Sequence, residues 1–498
     1  MTWPQRQTGE PAEGAFPRLR SAAWSPATDE YRCITIAAGQ HRFLKKVFDA
    51  FGFATLRIWT ESSMSDAGFD RVCCDGLVTA LGEFQGCTVA IVWSDFRVNA
   101  ASFGRANSQR FAAFLWHLRH APGESVPLVY VVNSAGVSLM EGRIAFSDAF
   151  DLWPELLRYA EEHLVLTCAV GKCLGLAPLL YGLGHYRVAV AGNTQVNLTG
   201  PEVIKLFFGR GIDFAHSAAA ERCLEHHDLV HELVPSVDAA LARFKELLTR
   251  APARDPAVAP SLGARTGALL TGFLDAAPLE LIPGWCPRVR LFLGTRRGQP
   301  LGIFVNPLER SNNMITVRTL EKYAAGLDLF RAMRLPIVSL LDSPGMDPRF
   351  DQADANNIRK ILWVGEKIIH YPHGAMGVAA GRCFGGATTL GFPKVFGGTR
   401  SIALRGCNIG LMHERIVGQV LSGSSRLLEQ WEEVAAGQSP GYEDLLAQGT
   451  LDAVIDEAQL PDEIDRFLAH ATSLLPAARL VGARTSRPVR SLTWRERA

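Results

Sequence analysis

The chain has almost no net charge, no paired-cysteine motif and no long uninterrupted apolar run, and each lack removes a class of function. Lys and Arg number 51 against 50 Asp and Glu, leaving a formal charge of +1 over 498 residues. So small an excess offers no basis for binding nucleic acid or an acidic membrane surface. Ten cysteines in a chain of this length do not make a disulfide scaffold, and none stand as CxxC, which argues against a zinc ribbon. Cys73 and Cys74 are adjacent, and Cys168 and Cys173 lie in apolar sequence. The thiols are expected to be reduced and buried, and the compartment cytoplasmic. The most apolar region, residues 164–192, is broken by Lys172, Pro178, His185 and Arg187, so it reads as buried strands and a helix, not a membrane span. No charged start precedes an apolar run at the N-terminus, so no signal peptide is expected. No GxSxG elbow, HExxH pair or glycine-rich ATP-binding signature occurs.

What is present describes a globular protein, with 48% hydrophobic and 20% charged residues. The length calls for two or more domains. Residues 1–28, rich in Pro, Gly and Arg, read as an extended or flexible lead-in. Helical patterning begins near Gln40. The run DGLVTALGEFQGCTVAIVWSDF reads as two strands joined through Gln85-Gly86. SQRFAAFLWHLRH has helical spacing with Ser108 as N-cap, and PLVYVVNSAG is a buried strand running into a turn. Residues 150–162 read as helix, 164–168 as a strand leading into GKCLGLAP, and 188–190 as a short strand. Pro201 opens the helix PEVIKLFF, and 219–233 and 237–250 look helical. APARDPAVAPSLGARTGA, within a linker of 251–275, is the clearest boundary.

After it the texture of the first half returns. VYVVNSAG at Ser134 answers VSLLDSPG at Ser343, 209 residues on (343 − 134). GKCLGLA at Gly175 answers GRCFGGA at Gly385, 210 on (385 − 175), and GPEVI at Ile204 answers MHERI at Ile416, 212 on (416 − 204). QGCTVAIVWSD likewise answers RGQPLGIFVNP. Four anchors in one order at nearly one offset define an internal repeat. The halves, 29–250 and 276–498, are therefore expected to share one α/β fold with parallel strands.

In each half a buried strand ends at a turn (Ser134-Ala135-Gly136, Ser343-Pro344-Gly345), and a second strand ends at a glycine where a helix begins (Gly175, Gly385-Gly386). Helix N-termini present unpaired N–H groups and a dipole that favours anions, which suits an enolate or a tetrahedral oxyanion. No side-chain nucleophile accompanies the turns.

The stretches DGLVTALGEFQGCTVAIVWSDFRVNAASFG, NSAGVSLMEG, LGIFVNP, LLDSPG, GRCFGGAT and LLAQGTLDAVIDEAQLPDEI carry a resemblance across residues 55–468. The chain resembles the carboxyltransferase (β) subunit of biotin-dependent acyl-CoA carboxylases, which is itself similar to the biotin-linked acyl-CoA decarboxylases. The resemblance implies two tandem crotonase-like ββα-spiral domains, the first binding the acyl thioester and the second carboxybiotin, with a site shared between subunits of a homo-oligomer. Backbone N–H groups near Gly175 and Leu176 would hold the thioester oxygen as an enolate forms, and those near Gly385, Gly386 and Ala387 would polarise the biotin ureido oxygen. Gly136, Lys172 and Thr389 fall at substrate positions, and Gly345 and Phe384 at the biotin side. The implied reaction moves a carboxyl group from carboxybiotin to the α-carbon of an acyl-CoA or carrier-bound acyl group. The alternatives are the decarboxylase direction and a non-catalytic assembly subunit. No lysine lies in a Met-Lys-Met setting, so biotin belongs on a separate biotin carboxyl carrier protein, charged by a biotin carboxylase.

The chain departs from the family in four places, one of them Thr389, which stands where the family often has an Asp or Ile that selects the acyl group. Ala135-Gly136-Val137-Ser138 replaces a GGAR turn, Leu176 replaces a glycine, and NNIRKILWVGEK replaces a basic glycine-rich stretch. Of the remaining charged residues, Arg57, Arg97 and Arg105 read as surface charges, and Glu141 and Asp347 as turn-stabilising carboxylates. His227 and His231 read as a solvated helix face, with no metal site.

Overall fold

One strand plan is used twice. The computed structural model describes residues 21–24, 30–31, 34–35, 38–59, 76–121, 123, 125–208, 213–250, 262–410, 414–422, 429 and 442–474. In the first sheet the order is Ser21–Trp24, Leu56–Trp59, Leu77–Phe84, Cys87–Ser94, Leu128–Ser134, Val165–Leu174, Tyr186–Val190 and Glu232–Val234, with Gln195–Asn197 also pairing to Val165–Leu174. In the second it is Leu279–Leu281, Arg290–Arg296, Gln299–Val305, Ile337–Ser343, Ala375–Phe384, Arg400–Leu404 and Ala453–Ile455, with Asn408–Gly410 also pairing to Ala375–Phe384. Each sheet opens with antiparallel strands, the last two of them a hairpin, and its central strands then pair parallel. The first hairpin closes on Gln85 and Gly86, both at positive φ, the geometry that matches the twist of paired strands. The central strands are buried on both faces, which is why their sequence is a continuous apolar run and not an alternation.

The chain divides into two compact units, one running to Cys223 and taking in Leu233–Lys245, the other taking in Leu224–Glu232 and the chain from Glu246. Helices Arg105–His120 and Val317–Ala332 occupy the same place in the two halves, 212 residues apart at both ends (317 − 105, 332 − 120). Among the described residues no helix is long and apolar enough to cross a membrane.

Several expectations change. The expected lead-in contains the strand Ser21–Trp24, which pairs antiparallel with Leu56–Trp59. The helix expected to start at Ser108 starts at Arg105, because the Glu141 carboxylate accepts from Arg105 N (2.8 Å) and the Asn107 side chain accepts from Gly104 N (2.8 Å). The helix expected over 150–162 begins at Gly142. The one expected over 219–233 stops at His226, and Glu232–Val234 joins the sheet edge instead. Inside the stretch read as a 251–275 linker, Ala264–Phe273 is helical and buries Leu269, Leu270 and Phe273 in the second core. Its start is tied down by Glu309, whose two oxygens accept from Thr266 N (2.7 Å) and Thr266 Oγ1 (2.6 Å). Residues 251–261 of that stretch, like Cys73 and Cys74, lie outside the described residues.

Candidate active site

In the first half, strands Leu128–Ser134 and Val165–Leu174 shift register after Val132, so that Ser134 pairs with Cys173. The slip brings the turn at Gly136 against the turn at Gly175. Both glycines are at positive φ (+101° and +63°). A methyl on Gly136 would lie 3.0 Å from Leu174 O, 3.1 Å from Gly175 Cα and 3.4 Å from Leu176 N. Only a residue without Cβ permits that approach. The buried Ser134 hydroxyl donates to Ala101 O (2.7 Å) and accepts from Gly136 N (3.1 Å). It braces the turn and is not a nucleophile.

The donors are not quite those expected. Gly175 N–H donates to Asn197 O at 3.2 Å and is therefore occupied. Leu176 is the N-cap of helix Ala177–Gly182, where N–H groups have no intrahelical acceptor. Val137 forms a parallel bridge with Phe103 in which Phe103 N donates to Gly136 O (2.7 Å) and Ser138 N to Phe103 O (2.9 Å). Alternation along an extended chain then turns Val137 N–H away from Phe103. The first-half candidates for open N–H groups are therefore Val137 and Leu176. The Leu176 side chain itself is buried, at 4% exposure, so it leaves the turn open. An apolar cavity of about 650 Å³ opens on this turn. Lys172 is half-buried; its N–H donates to Asn133 Oδ1 (3.0 Å) and its amine to the Gln195 side-chain oxygen, which commits it to the strand edge.

The second half repeats the scheme with different tightness. Strand Ile337–Ser343 slips after Leu341, Ser343 pairs with Cys383, and the Ser343 hydroxyl donates to Asn313 O (2.8 Å) and accepts from Gly345 N (3.3 Å). Ile315 bridges Met346 as Phe103 bridges Val137. Gly385 is at φ +55° and opens the expected helix, which over Gly385–Gly391 is of the 3-10 type. Its first N–H groups, at Gly386 and Ala387, lack intrahelical acceptors. Ala387 is fully buried. Thr388 and Thr389 hydroxyls donate to Gly385 O (2.8 Å) and Gly386 O (2.7 Å), so Thr389 shapes the turn. A methyl on Gly345 would meet only Phe384 O, at 3.8 Å, and one on Gly386 only the Met346 side chain, from 3.5 Å. The cradle between Gly345, Phe384 and Gly386 thus has room that the first half lacks.

Side-chain chemistry is sparse at both turns. Burial pushes the thiols of Cys173 and Cys383 well above their ordinary value, which keeps them neutral. Arg382 makes a two-point pair with Asp342 (2.9 Å at both points) and donates further to Ser311 O (2.7 Å) and Arg310 O (3.0 Å). Asp347 is held below the usual carboxylate range by the Arg349 guanidinium at 2.8 Å. Arg97 is paired with Asp95 (2.8 Å) and Arg105 with Asp148 (3.6 Å), and Arg57 lies in an edge-proximal strand. His227 follows the end of its helix and His231 is buried beside a strand, so the two do not share the solvated helix face expected. Among the described residues no cluster of three or more His, Cys, Asp or Glu could hold a metal ion. Val137, Asn197 and Met346 carried no sequence signal, since each acts through its backbone.

The profile of the carboxyl transferase domain family matches residues 44–268. The propionyl-CoA carboxylase beta chain of Saccharopolyspora erythraea is 23% identical over 459 residues, 82% of this chain and 83% of that protein. The biotin-dependent acetyl-/propionyl-coenzyme A carboxylase beta5 subunit of Mycobacterium tuberculosis is 22% identical, with 79% of each chain covered. Among solved structures, transcarboxylase 12S, described as a hexamer with methylmalonyl-coenzyme A bound, superposes with a TM-score of 0.71 at 19% identity over 86% of both chains. A single-chain, multi-domain long-chain acyl-CoA carboxylase gives 0.65 at 17% identity, over 86% of this chain and 46% of that one. The two sheets thus share the fold of these carboxyltransferase structures.

Proposed function

We propose that the chain is a carboxyltransferase subunit of the biotin-dependent acyl-CoA carboxylase kind, and that its two turns divide the transfer. Residues 29–250 form the acyl thioester side and 276–498 the biotin side. When bound, carboxybiotin supplies the carboxyl group as CO2 and, once discharged, the ureido nitrogen that takes the α-proton.

Val137 and Leu176 N–H hold the thioester oxygen as the α-C–H bond breaks and charge moves onto that oxygen. Gly136 and Gly175 keep the space beside those donors clear. The enolate carbon then forms the new C–C bond with CO2, and the oxygen returns to a carbonyl. Gly386 and Ala387 N–H hold the ureido oxygen, with Gly345 and Phe384 forming the opposite wall of the cradle and Thr389 fixing the Gly386 peptide. Lys172 orients the first-half strand edge through Gln195. No side-chain base is required, which agrees with the neutral thiols and the committed Ser134 and Ser343. The observation that carries this reading is the paired glycine turn, built twice with the same serine brace.

The partners are a biotin carboxylase and a biotin carboxyl carrier protein, with an acyl-CoA or acyl-carrier-protein thioester as substrate, in the cytoplasm. A homo-oligomer is supported by large apolar side chains left open to solvent, among them Leu139, Leu206 and Phe207 in the first unit and Phe350, Ile358 and Leu362 in the second. The test is incubation with free biotin and malonyl-CoA or methylmalonyl-CoA, following loss of the acyl carboxylate. Turnover supports the assignment. Its absence with every thioester, together with no binding of a biotinylated carrier, removes it.

A further inference from the structure

Resting on that reading, we infer that the acyl group this chain handles is a hydrocarbon chain well beyond propionyl in length. The cavity at the first-half turn has a volume of about 650 Å³. That volume falls in the range of small-ligand sites, roughly 300–1,000 Å³, although this one is a groove open on one side, with Phe146, Leu198 and Val203 57%, 60% and 44% exposed. Its floor is the Gly175-Leu176 turn, so the carbon attached to a thioester held there points into it. Its walls are alkyl and phenyl: Val137, Phe146, Phe150, Leu179, Leu198 and Val203, with Glu202 the one charged residue along the lining.

The wall chemistry separates the acyl end of the substrate from the CoA end. A pantetheine arm carries two amides, and burying an amide without hydrogen-bond partners is costly. Walls of Phe, Leu and Val supply no such partners, so the arm must leave the turn by another route. An apolar chain suits these walls, because it replaces a wet or empty void with dispersion contacts. Phe146 and Phe150 lie one helical turn apart with ring centroids at 4.5 Å and planes tilted by 39°, a continuous apolar wall. Val203 stands on the facing helix Pro201–Phe208 and is 44% exposed, at the outer edge of the cavity.

The test uses the full-length protein and a saturated series of acetyl-, butyryl-, hexanoyl- and octanoyl-CoA, with Kd read by calorimetry. Each added methylene should tighten binding about fourfold until the cavity is full. Val203→Trp, which places an indole in the outer part of the cavity, should flatten the gain for the longer members, and its melting temperature shows whether it folds. A Kd that does not change from acetyl to octanoyl overturns the inference, whatever the enzyme turns over. So does a Val203→Trp protein that changes its sedimentation but keeps the parental chain-length dependence, because the cavity would then belong to subunit contact. Carboxyl transfer is measured separately, with free biotin and 2-carboxyacyl-CoAs of the same lengths. Chain-length-dependent binding without any transfer removes the carboxyltransferase mechanism and leaves the acyl site standing.

Discussion

Replacing Gly136 by alanine tests the first-half turn with one methyl group. The methyl would sit 3.0 Å from Leu174 O, 3.1 Å from Gly175 Cα and 3.4 Å from Leu176 N. All three are backbone atoms, so relief requires the two turns to move apart. That displaces Leu176 N–H from Val137 N–H, and loss of one oxyanion donor costs about 3–4 kcal/mol in barrier, or roughly a hundred- to thousandfold in kcat. Positive φ at a residue with Cβ adds about 1–2 kcal/mol to the folded state. Gly136→Ala should therefore lose about two to three orders of magnitude in carboxylate loss from methylmalonyl-CoA with free biotin, with unfolding easier by only about 1–3 kcal/mol. Gly345→Ala is the comparison. It shares the positive φ (+122°) but meets only Phe384 O, at 3.8 Å, so its stability should fall similarly and its kcat by less than about tenfold. A folded Gly136→Ala protein with kcat within about threefold of the parent would refute the assignment of Leu176 and Val137 as donors.

Ser134→Ala removes a buried hydroxyl that serves Ala101 O and Gly136 N, and should cost about 1–3 kcal/mol of stability in denaturant titration, with kcat falling because the turn loses its brace. Leu270→Ala should destabilise the second unit by about 2–5 kcal/mol, since Leu270 is fully buried in its core; a change below about 0.5 kcal/mol would return that segment to the status of a linker. Lys322, almost wholly buried, is pulled down to about 8 by desolvation, and its amine donates to Trp285 O at 2.6 Å. The unfolded chain then holds a proton that the folded chain has lost between about pH 8 and 10.5, so stability rises with pH across that window. The rise is on the order of 3 kcal/mol, and Lys322→Met should abolish it in melts run from pH 8 upward; an unchanged pH profile would sink this account.

The duplicated strands were readable because burial on both faces leaves a continuous apolar signature, and because the Ser and Gly that a tight turn demands recur at one offset. Ser134 and Ser343, Gly175 and Gly385 declared the turns before any coordinates. The identity of the donors was not readable. Val137, Asn197 and Met346 act through peptide groups, and which N–H is spent depends on which strand lies alongside, a tertiary fact with no residue type attached. Gly175 illustrates the limit, because its glycine is needed for φ while its N–H is consumed by Asn197 O. Helix starts failed for a related reason. At Arg105 the deciding group is Glu141, thirty-six residues away (141 − 105), and no local capping rule reaches that far.

The two halves keep one frame and differ where their guests differ. Asn133 and Asp342 are equivalent, each accepting from the backbone N–H of the next strand, at Lys172 (3.0 Å) and Arg382 (2.7 Å). In the second half the acceptor is charged and the donor residue is an arginine that closes a two-point pair on it, which fixes the strand edge without help from a ligand. In the first half the acceptor is neutral, and the lysine turns instead to Gln195 on the strand leading toward Leu198 and Val203 in the cavity wall. The first-half glycines close to backbone contact, so a methyl on Gly136 would lie 3.0 Å from Leu174 O and 3.1 Å from Gly175 Cα. The second-half glycines stay apart, and a 3-10 helix locked by Thr388 and Thr389 leaves a wider cradle. On the proposed division, a carbonyl oxygen suits the first geometry, because its charge changes most during the reaction and donors must already be in place. On the same division, a planar bicyclic guest delivered on a carrier suits the second, because it must enter and leave once per turnover.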